Sequence, residues 1–240
     1  MMRILGAAAA ATVMHVVSIQ PAAAQEAQQL IYGLKFEQLE YRFGDQTDVT
    51  AWDGDTWLGN DEWKLRLTSE GEYVREGRNF ETLEHQLFVQ RMISTFFDAK
   101  LGVRQDNPDD SADRTYGVIG VHGLAPQWFE TDADFFVSEN GDASARLDLD
   151  YEILLTNWII LTPSLEIDFA FSDDAAAGVG SGFSAAELGA RLSYDLIDRS
   201  LSPYVGVHYE RKFGETGRIA QSEGEGKADL FLTIGTRLLF

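Results

Sequence analysis

The final stretch of the chain, Ala228 to Phe240, sets Leu230, Leu232, Ile234, Thr236 and Leu238 on one side and small or charged residues on the other, and it ends on an aromatic side chain. A strand with this alternation and an aromatic terminus reads as the closing strand of an outer-membrane β-barrel. One face then meets lipid and the other a polar interior. That double solvent constrains everything upstream, because each further crossing must repeat the same period of two.

The beginning agrees. Met1, Met2 and Arg3 lead into an apolar run from Ile4 to Ile19, followed by Pro21 and by Ala22, Ala23 and Ala24. This reads as a secretory signal over 1–24 that is cleaved, followed by a short segment over 25–30 and a barrel over 31–240. The apolar run is too short to cross a bilayer as a helix, and no later stretch reaches the roughly 18 uninterrupted apolar residues that a spanning helix needs. Cysteine is absent, so neither a disulfide framework nor a thiolate metal site exists, and a closed hydrogen-bond ladder is left to supply stability.

Apolar residues make up 45% of the chain, yet the mean hydropathy is −0.18; alternation of lipid-facing and polar positions produces that pairing of values. Asp and Glu number 39 against 19 Lys and Arg, a net charge of −20. Nucleic acid is a poor partner for such a chain, since phosphate contacts need Lys and Arg. Asp106 to Asp113 and Glu215 to Glu225 carry several of the negative charges and read as solvent-facing turns.

Period-two runs fall near 31–43, 49–58, 63–75, 82–92, 96–105, 114–123, 129–139, 142–154, 159–171, 183–196, 201–213 and 228–240. The expected fold is all-β, a transmembrane antiparallel β-barrel of twelve strands; the run around Trp52 to Leu58 is the weakest, and losing it with the first would leave ten. Connections at 59–62, 93–95, 124–127, 155–158 and 198–200 are short, whereas 106–113, 172–181 and 214–227 are long and rich in Gly, Asp and Glu. Short turns belong at the periplasmic end and long loops outside. Trp57, Trp63, Phe96, Phe97, Trp128 and Trp158 sit beside the short turns, and Tyr41, Phe43, Tyr73, Phe171, Phe183 and Phe213 beside the other ends. Two aromatic girdles are expected from this placement.

Phase follows from the lipid face. Along 143–153, Ala143, Ala145, Leu147, Leu149, Tyr151 and Ile153 point out, which turns Ser144, Arg146, Asp148, Asp150 and Glu152 inward. The same rule turns inward Lys64, Arg66, Glu70, Glu72, Asp98, Lys100, Arg104, Glu130, Asp132, Asp134, Glu166, Asp168, Glu187, Arg191, His208, Glu210, Lys212 and Arg237. Such a lumen is either a salt-bridged plug that stabilises the barrel or a cation path or binding cavity lined with more carboxylates than amines. Paired carboxylates at i and i+2, such as Asp148 and Asp150, arise from alternation alone and do not by themselves mark a metal site.

Several segments together carry a family resemblance: Phe36 to Arg42 (FEQLEYR), Gly123 to Phe129 (GLAPQWF), Phe136 to Leu147 (FVSENGDASARL) and Pro203 to Thr216 (PYVGVHYERKFGET). They resemble the bacterial copper-resistance protein B family over roughly 30–240, in order and spacing. The resemblance implies a barrel in the cell outer membrane that takes part in copper resistance by binding, sequestering or exporting periplasmic copper. Outer-membrane lipid, copper ions and a periplasmic copper oxidase or efflux component are the partners it implies. Many members of the family carry a Met- and His-rich segment before the barrel, suited to copper because thioether favours Cu(I) and imidazole favours copper generally. Here 25–30 joins the signal almost directly to the first strand, and only Met92, His85, His122 and His208 of those residue types follow it. Candidate copper ligands are therefore His208 with Glu210, two residues on, and His122 near a short turn; a structural role for His208, donating to a lumen carboxylate, stands beside the ligand reading. His85 falls on the lipid-facing register near the outer rim, and Met92 at the inner end of its strand reads as packing.

Catalysis is not expected. Barrel phospholipases hold a nucleophilic Ser by a nearby His, and the residues two beyond the histidines here are Leu87, Leu124 and Glu210. The remaining alternative is a passive small-solute pore or structural barrel without a metal role.

Overall fold

The computed structural model describes residues 30–45 and 47–240; the expected signal and most of the short segment after it lie outside the described residues. Thirteen strand segments form one antiparallel sheet closed on itself. They are β1 (Ile31–Phe43), β2 (Asp48–Gly59), β3 (Trp63–Val74), β4 (Asn79–Met92), β5 (Phe97–Asp106), β6 (Arg114–Ala125), β7 (Phe129–Ser138), β8 (Ala143–Asp150), β9 (Ile153–Leu154), β10 (Ile159–Ala170), β11 (Gly182–Tyr194), β12 (Leu201–Lys212) and β13 (Ala228–Leu239). Because β8 and β9 both pair with β10 in one register, they are two pieces of one crossing, and the barrel has twelve strands.

Pro163 explains the interruption. It stands opposite Tyr151, whose N–H donates to the Pro163 carbonyl at 3.2 Å, and proline has no N–H to return the bond. The barrel closes where β13 pairs with β1, from Phe43 opposite Leu232 to Lys35 opposite Leu239. Closure leaves no unpaired edge, which is the condition for a sheet to stand in hydrocarbon. The weakest of the expected strands, around Trp52 to Leu58, is a full element, paired along its length with β1 and β3.

The structure is inverted relative to a water-soluble barrel. On β5, Leu101 is 67% exposed while its neighbour Lys100 is 4% exposed. Leu65, Leu67, Leu87, Val89, Val103, Ile119, Leu188, Val205, Leu230, Leu232 and Ile234 extend the exposed apolar belt around the wall. Trp63, Phe96, Trp128 and Trp158 are exposed at the short-turn rim, and Phe43, Phe171 and Phe183 at the long-loop rim. Trp57 departs from the expected girdle. A Cβ on Gly33 would collide with its indole ring, so the ring lies over the glycine opposite it in the register, on the inner side of a wall whose flanking Thr56 and Leu58 are exposed.

A second departure lies at the long-loop end. Glu215 to Glu225, expected as a solvent-facing turn, is largely a helix, α1 (Gly214–Glu223), which buries Thr216, Gly217 and Ala220. Gly224 ends it in the left-handed conformation at φ 94°, its N–H turned back to the Ala220 and Gln221 carbonyls. Small residues at three- and four-residue spacing let the helix sit close to the wall, a pattern that a period-two reading passes over. The loop before β11 meets the helix: Gly180 N–H donates to Thr216 Oγ1 at 3.0 Å, and that hydroxyl lies 3.3 Å from the Gly180 carbonyl. The same loop is strapped to the base of β6 by Arg114, whose Nε and Nη2 donate to both Asp174 oxygens at 2.6 and 2.8 Å.

Two outcomes test these features. Ile234→Arg, midway along β13, is expected to destabilise the barrel by about 2–4 kcal/mol, read from urea titration of the protein folded into vesicles. The Arg114 hydrogen bond is the first cause that holds the Asp174 carboxyl below its ordinary value of 3.8. A depressed carboxylate contributes stability that is present above its unfolded value and lost as pH falls through the folded one. Protease nicking within 172–181 is therefore expected to stay flat at neutral and mildly acidic pH and to rise only below about pH 4, whereas Asp174→Asn raises it at pH 7.

Candidate functional site

The lumen gathers the ionisable residues that alternation directs inward. Its central cavity is ≈230 Å³ and is lined by twelve carboxylates, six Lys or Arg residues and both His122 and His208. Two further cavities, ≈470 and ≈280 Å³, lie beneath the long loops and α1. Arg42 lines both the central and the larger of these, and Arg146 and Glu84 line both the central and the smaller. These three side chains form a septum between the interior and the roofed mouth.

Each septum residue is held by others. Arg146 on β8 contacts Glu166 and Asp168 of β10 at 3.0 Å each, and reaches Glu84 of β4 at 3.3 Å and Glu70 of β3 at 3.8 Å. Glu84 also takes Arg104 at 2.7 Å. Glu40 is the tightest knot. Arg191 donates to both its oxygens at 3.0 Å, Arg42 Nε donates at 2.7 Å and Tyr204 Oη at 2.8 Å, while Arg42 also pairs with Glu72. Rings inside the lumen carry cations on their faces, with Arg104 4.7 Å from the Phe136 centroid and Lys100 5.1 Å from that of Phe88. Gly120 leaves room for one pair, since a Cβ there would run into Asp134 Oδ1 and the Lys100 side chain, and those two meet at 2.7 Å.

The sequence candidates fall at different heights. His122, near the short-turn end of β6, faces the lumen and sets Nδ1 3.1 Å from Asp132 Oδ2; Asp132 is also held by Lys100. His208, towards the long-loop end of β12, is 4% exposed. Its Nε2 lies 3.4 Å from Glu187 Oε2 and 3.9 Å from Glu210 Oε2, near enough for attraction but without hydrogen-bond geometry, so that among the described residues the nitrogen has no hydrogen-bond partner. His122 and His208 therefore do not share a carboxylate. His85 is exposed on the outer face of β4. Met92 is 46% exposed at the end of β4, at the rim rather than packed. Among the described residues no group of three His, Asp or Glu side chains forms a ready-made metal cage.

With the barrel and its lumen described, the comparisons with known proteins decide the family. The family model described as copper resistance protein B precursor matches residues 30–240. The chain belongs to the copper resistance protein B family. It is 38% identical to copper resistance protein B of Escherichia coli over 209 residues, 87% of this chain and 69% of that one. It is 36% identical to a copper resistance protein B homolog of Pseudomonas syringae pv. tomato over 204 residues, 85% of this chain and 68% of that one. Among solved structures, a NanC porin aligns with a TM-score of 0.53 at 12% identity, covering 87% of this chain and 99% of the porin. That likeness supports the outer-membrane barrel fold.

In this copper resistance protein B family member, Glu40, Arg42, Asp55 and Glu84 are lumen residues that the sequence reading did not name, although alternation from His85 would have turned Glu84 inward. The register of β1 slips between Phe36 and Leu39, so the inward phase moves from Lys35 and Glu37 to Glu40 and Arg42 across a β-bulge. A shift of the apolar positions from Leu34 and Phe36 to Leu39, Tyr41 and Phe43 was the available signal. Glu40→Ala leaves two buried guanidinium groups short of their partner and is expected to cost about 3–5 kcal/mol. The urea midpoint of the refolded barrel measures it, with Glu37→Ala at the more open short-turn mouth as the mild comparison.

Proposed function

We propose that this barrel stands in the outer membrane with its short turns in the periplasm, and that it contributes to copper tolerance by admitting copper ions to its lumen. The observation that carries the reading is the charge of the central cavity, twelve carboxylates against six Lys or Arg residues, in a chain of the copper resistance protein B family. A low-dielectric wall focuses that excess and attracts cations. Imidazole and carboxylate are suitable first-row metal donors; His122, Asp132 and His208 place such donors on the wall of the central cavity, and Glu210, 3.9 Å from His208, lines the mouth cavity beside it. Copper is cargo here, supplied or consumed by periplasmic redox and efflux partners, and no catalytic step is assigned to the barrel.

A second reading, a structural barrel without a metal role, is favoured by the Glu40 and Arg146 knots, which pair charges across the interior. One experiment separates the two. A deletion strain complemented with this chain is expected to regain growth at inhibitory copper, whereas complementation with an unrelated closed barrel is not. Equal growth of both strains would assign the lumen charges to stability alone.

A further inference from the structure

The strand register brings together residues that are far apart in the chain. Asp98 stands opposite His122, His122 opposite Asp132, Asp132 opposite Asp148, and Asp148 opposite Glu166. Glu166 stands opposite Glu187, Glu187 opposite Glu210, and Glu210 opposite Asp229. One lumen-facing row thus crosses eight adjoining strands from β5 to β13 and carries seven carboxylates and one imidazole. Asp98 and His122 sit at the short-turn ends of their strands, whereas Asp229 sits at the long-loop end of β13. Strands in such barrels tilt by roughly 35–45° and lie about 4.8 Å apart, so seven steps across them climb on the order of 20 Å along the axis. The row winds from one mouth to the other and passes the septum beside Arg42, between Glu187 on the central cavity and Glu210 on the mouth cavity.

Like charges directly opposite one another destabilise a strand pair, so a row of this kind calls for cations. The lower part has them at all its carboxylates but Asp148: Lys64 meets Asp98 at 3.2 Å, Lys100 pairs with Asp132, and Arg146 meets Glu166 at 3.0 Å. Higher up, no Lys or Arg nitrogen among the described residues lies within 4.0 Å of Glu187 or Glu210, whose only ion contacts are to His208. His208 occupies the inward position next below Glu210 on β12, and its buried Nε2, lacking a hydrogen-bond partner, lies 3.4 and 3.9 Å from oxygens of the two carboxylates. An orphaned buried nitrogen is costly, and a bound cation relieves both that cost and the repulsion. Donors about 2.0–2.2 Å from one first-row ion lie roughly 3–4 Å from each other, the range spanned by the 3.4 and 3.9 Å contacts.

We propose that this carboxylate row is a stepped route for divalent cations through the barrel, and that Glu187, Glu210 and His208 form its capture station for Cu²⁺. The assignment rests on the copper reading for its cargo and on the register for its path. A nitrogen and two carboxylates favour Cu²⁺ over Cu⁺, which prefers sulfur donors. The three donors are not a ready-made cage and must close on the ion, and an open site of that kind matches transfer, since cargo must bind well enough to enter and weakly enough to leave.

Cu²⁺ added to the purified full barrel tests the station by electron paramagnetic resonance. Coupling to one nitrogen is expected, lost in His208→Ala and in His208→Gln, and kept in His85→Ala. Loss of even an outer-shell partner weakens metal sites by roughly 10–100-fold, so Glu187→Gln and Glu210→Gln should each weaken binding at least about tenfold while keeping the coupling. For the route, Cu²⁺ entry into vesicles holding a copper-quenched dye should slow in Asp148→Asn and Glu187→Gln. Heat-modifiable gel mobility identifies variants that have folded, and His208→Gln serves where His208→Ala has not. Coupling that survives the His208 substitutions or disappears in His122→Ala, affinity unmoved by both Gln substitutions, or unchanged entry overturns the proposal. Coupling at His208 in a barrel that fails to restore tolerance in cells overturns the copper-tolerance reading and leaves the station standing. Restored tolerance without that coupling does the reverse.

Discussion

Everything in this protein follows from the ladder that joins β13 back to β1. Closing the sheet pairs the last strand edges, so the wall can present leucine, isoleucine and valine to hydrocarbon without an orphan backbone group on that side. The same closure drives every alternate residue into a space only tens of Å wide. What would be a solvated face in an open sheet becomes a crowded interior, and its charges must find each other. Glu40, with two arginines and a tyrosine on it, and Arg146, with four carboxylates around it, show how completely they do so in the middle of the barrel.

Pairing is not uniform along the axis, and the unevenness gives the lumen its character. Around Arg42 and Arg146 the interior is knit into a septum, and α1 with the strapped loops roofs the mouth above it. Along the carboxylate row the count of acids outruns the bases. Membership of the copper resistance protein B family is what leads to the proposal that metal cations balance this surplus. The proposed copper role and the barrel's stability are thus two expressions of one electrostatic arrangement.

The wall was readable in the sequence because alternation is enforced by the pleat: Leu101 beside Lys100 and Leu147 beside Arg146 declare their faces without help. The lumen was readable wherever that phase ran unbroken, as at Asp132, Asp148, Glu166 and His208. It failed at β1, where a bulge carries the phase past Glu37 to Glu40, and at Trp57, whose ring covers a glycine on the inner side. Helix α1 was missed because its Thr216, Gly217 and Ala220 show no period of two. The carboxylate row was invisible for a different reason: its members are set by cross-strand register, which depends on turn lengths and bulges summed around the whole barrel, and no local spacing encodes that sum.

The most direct test is a diffraction measurement on crystals of the full barrel grown with Cu²⁺, recorded on both sides of the copper absorption edge. The account predicts an anomalous peak inside the lumen, beside His208 Nε2 and between Glu187 and Glu210. Copper found only on the outer wall or at the exposed loops, with the lumen clear, would contradict it.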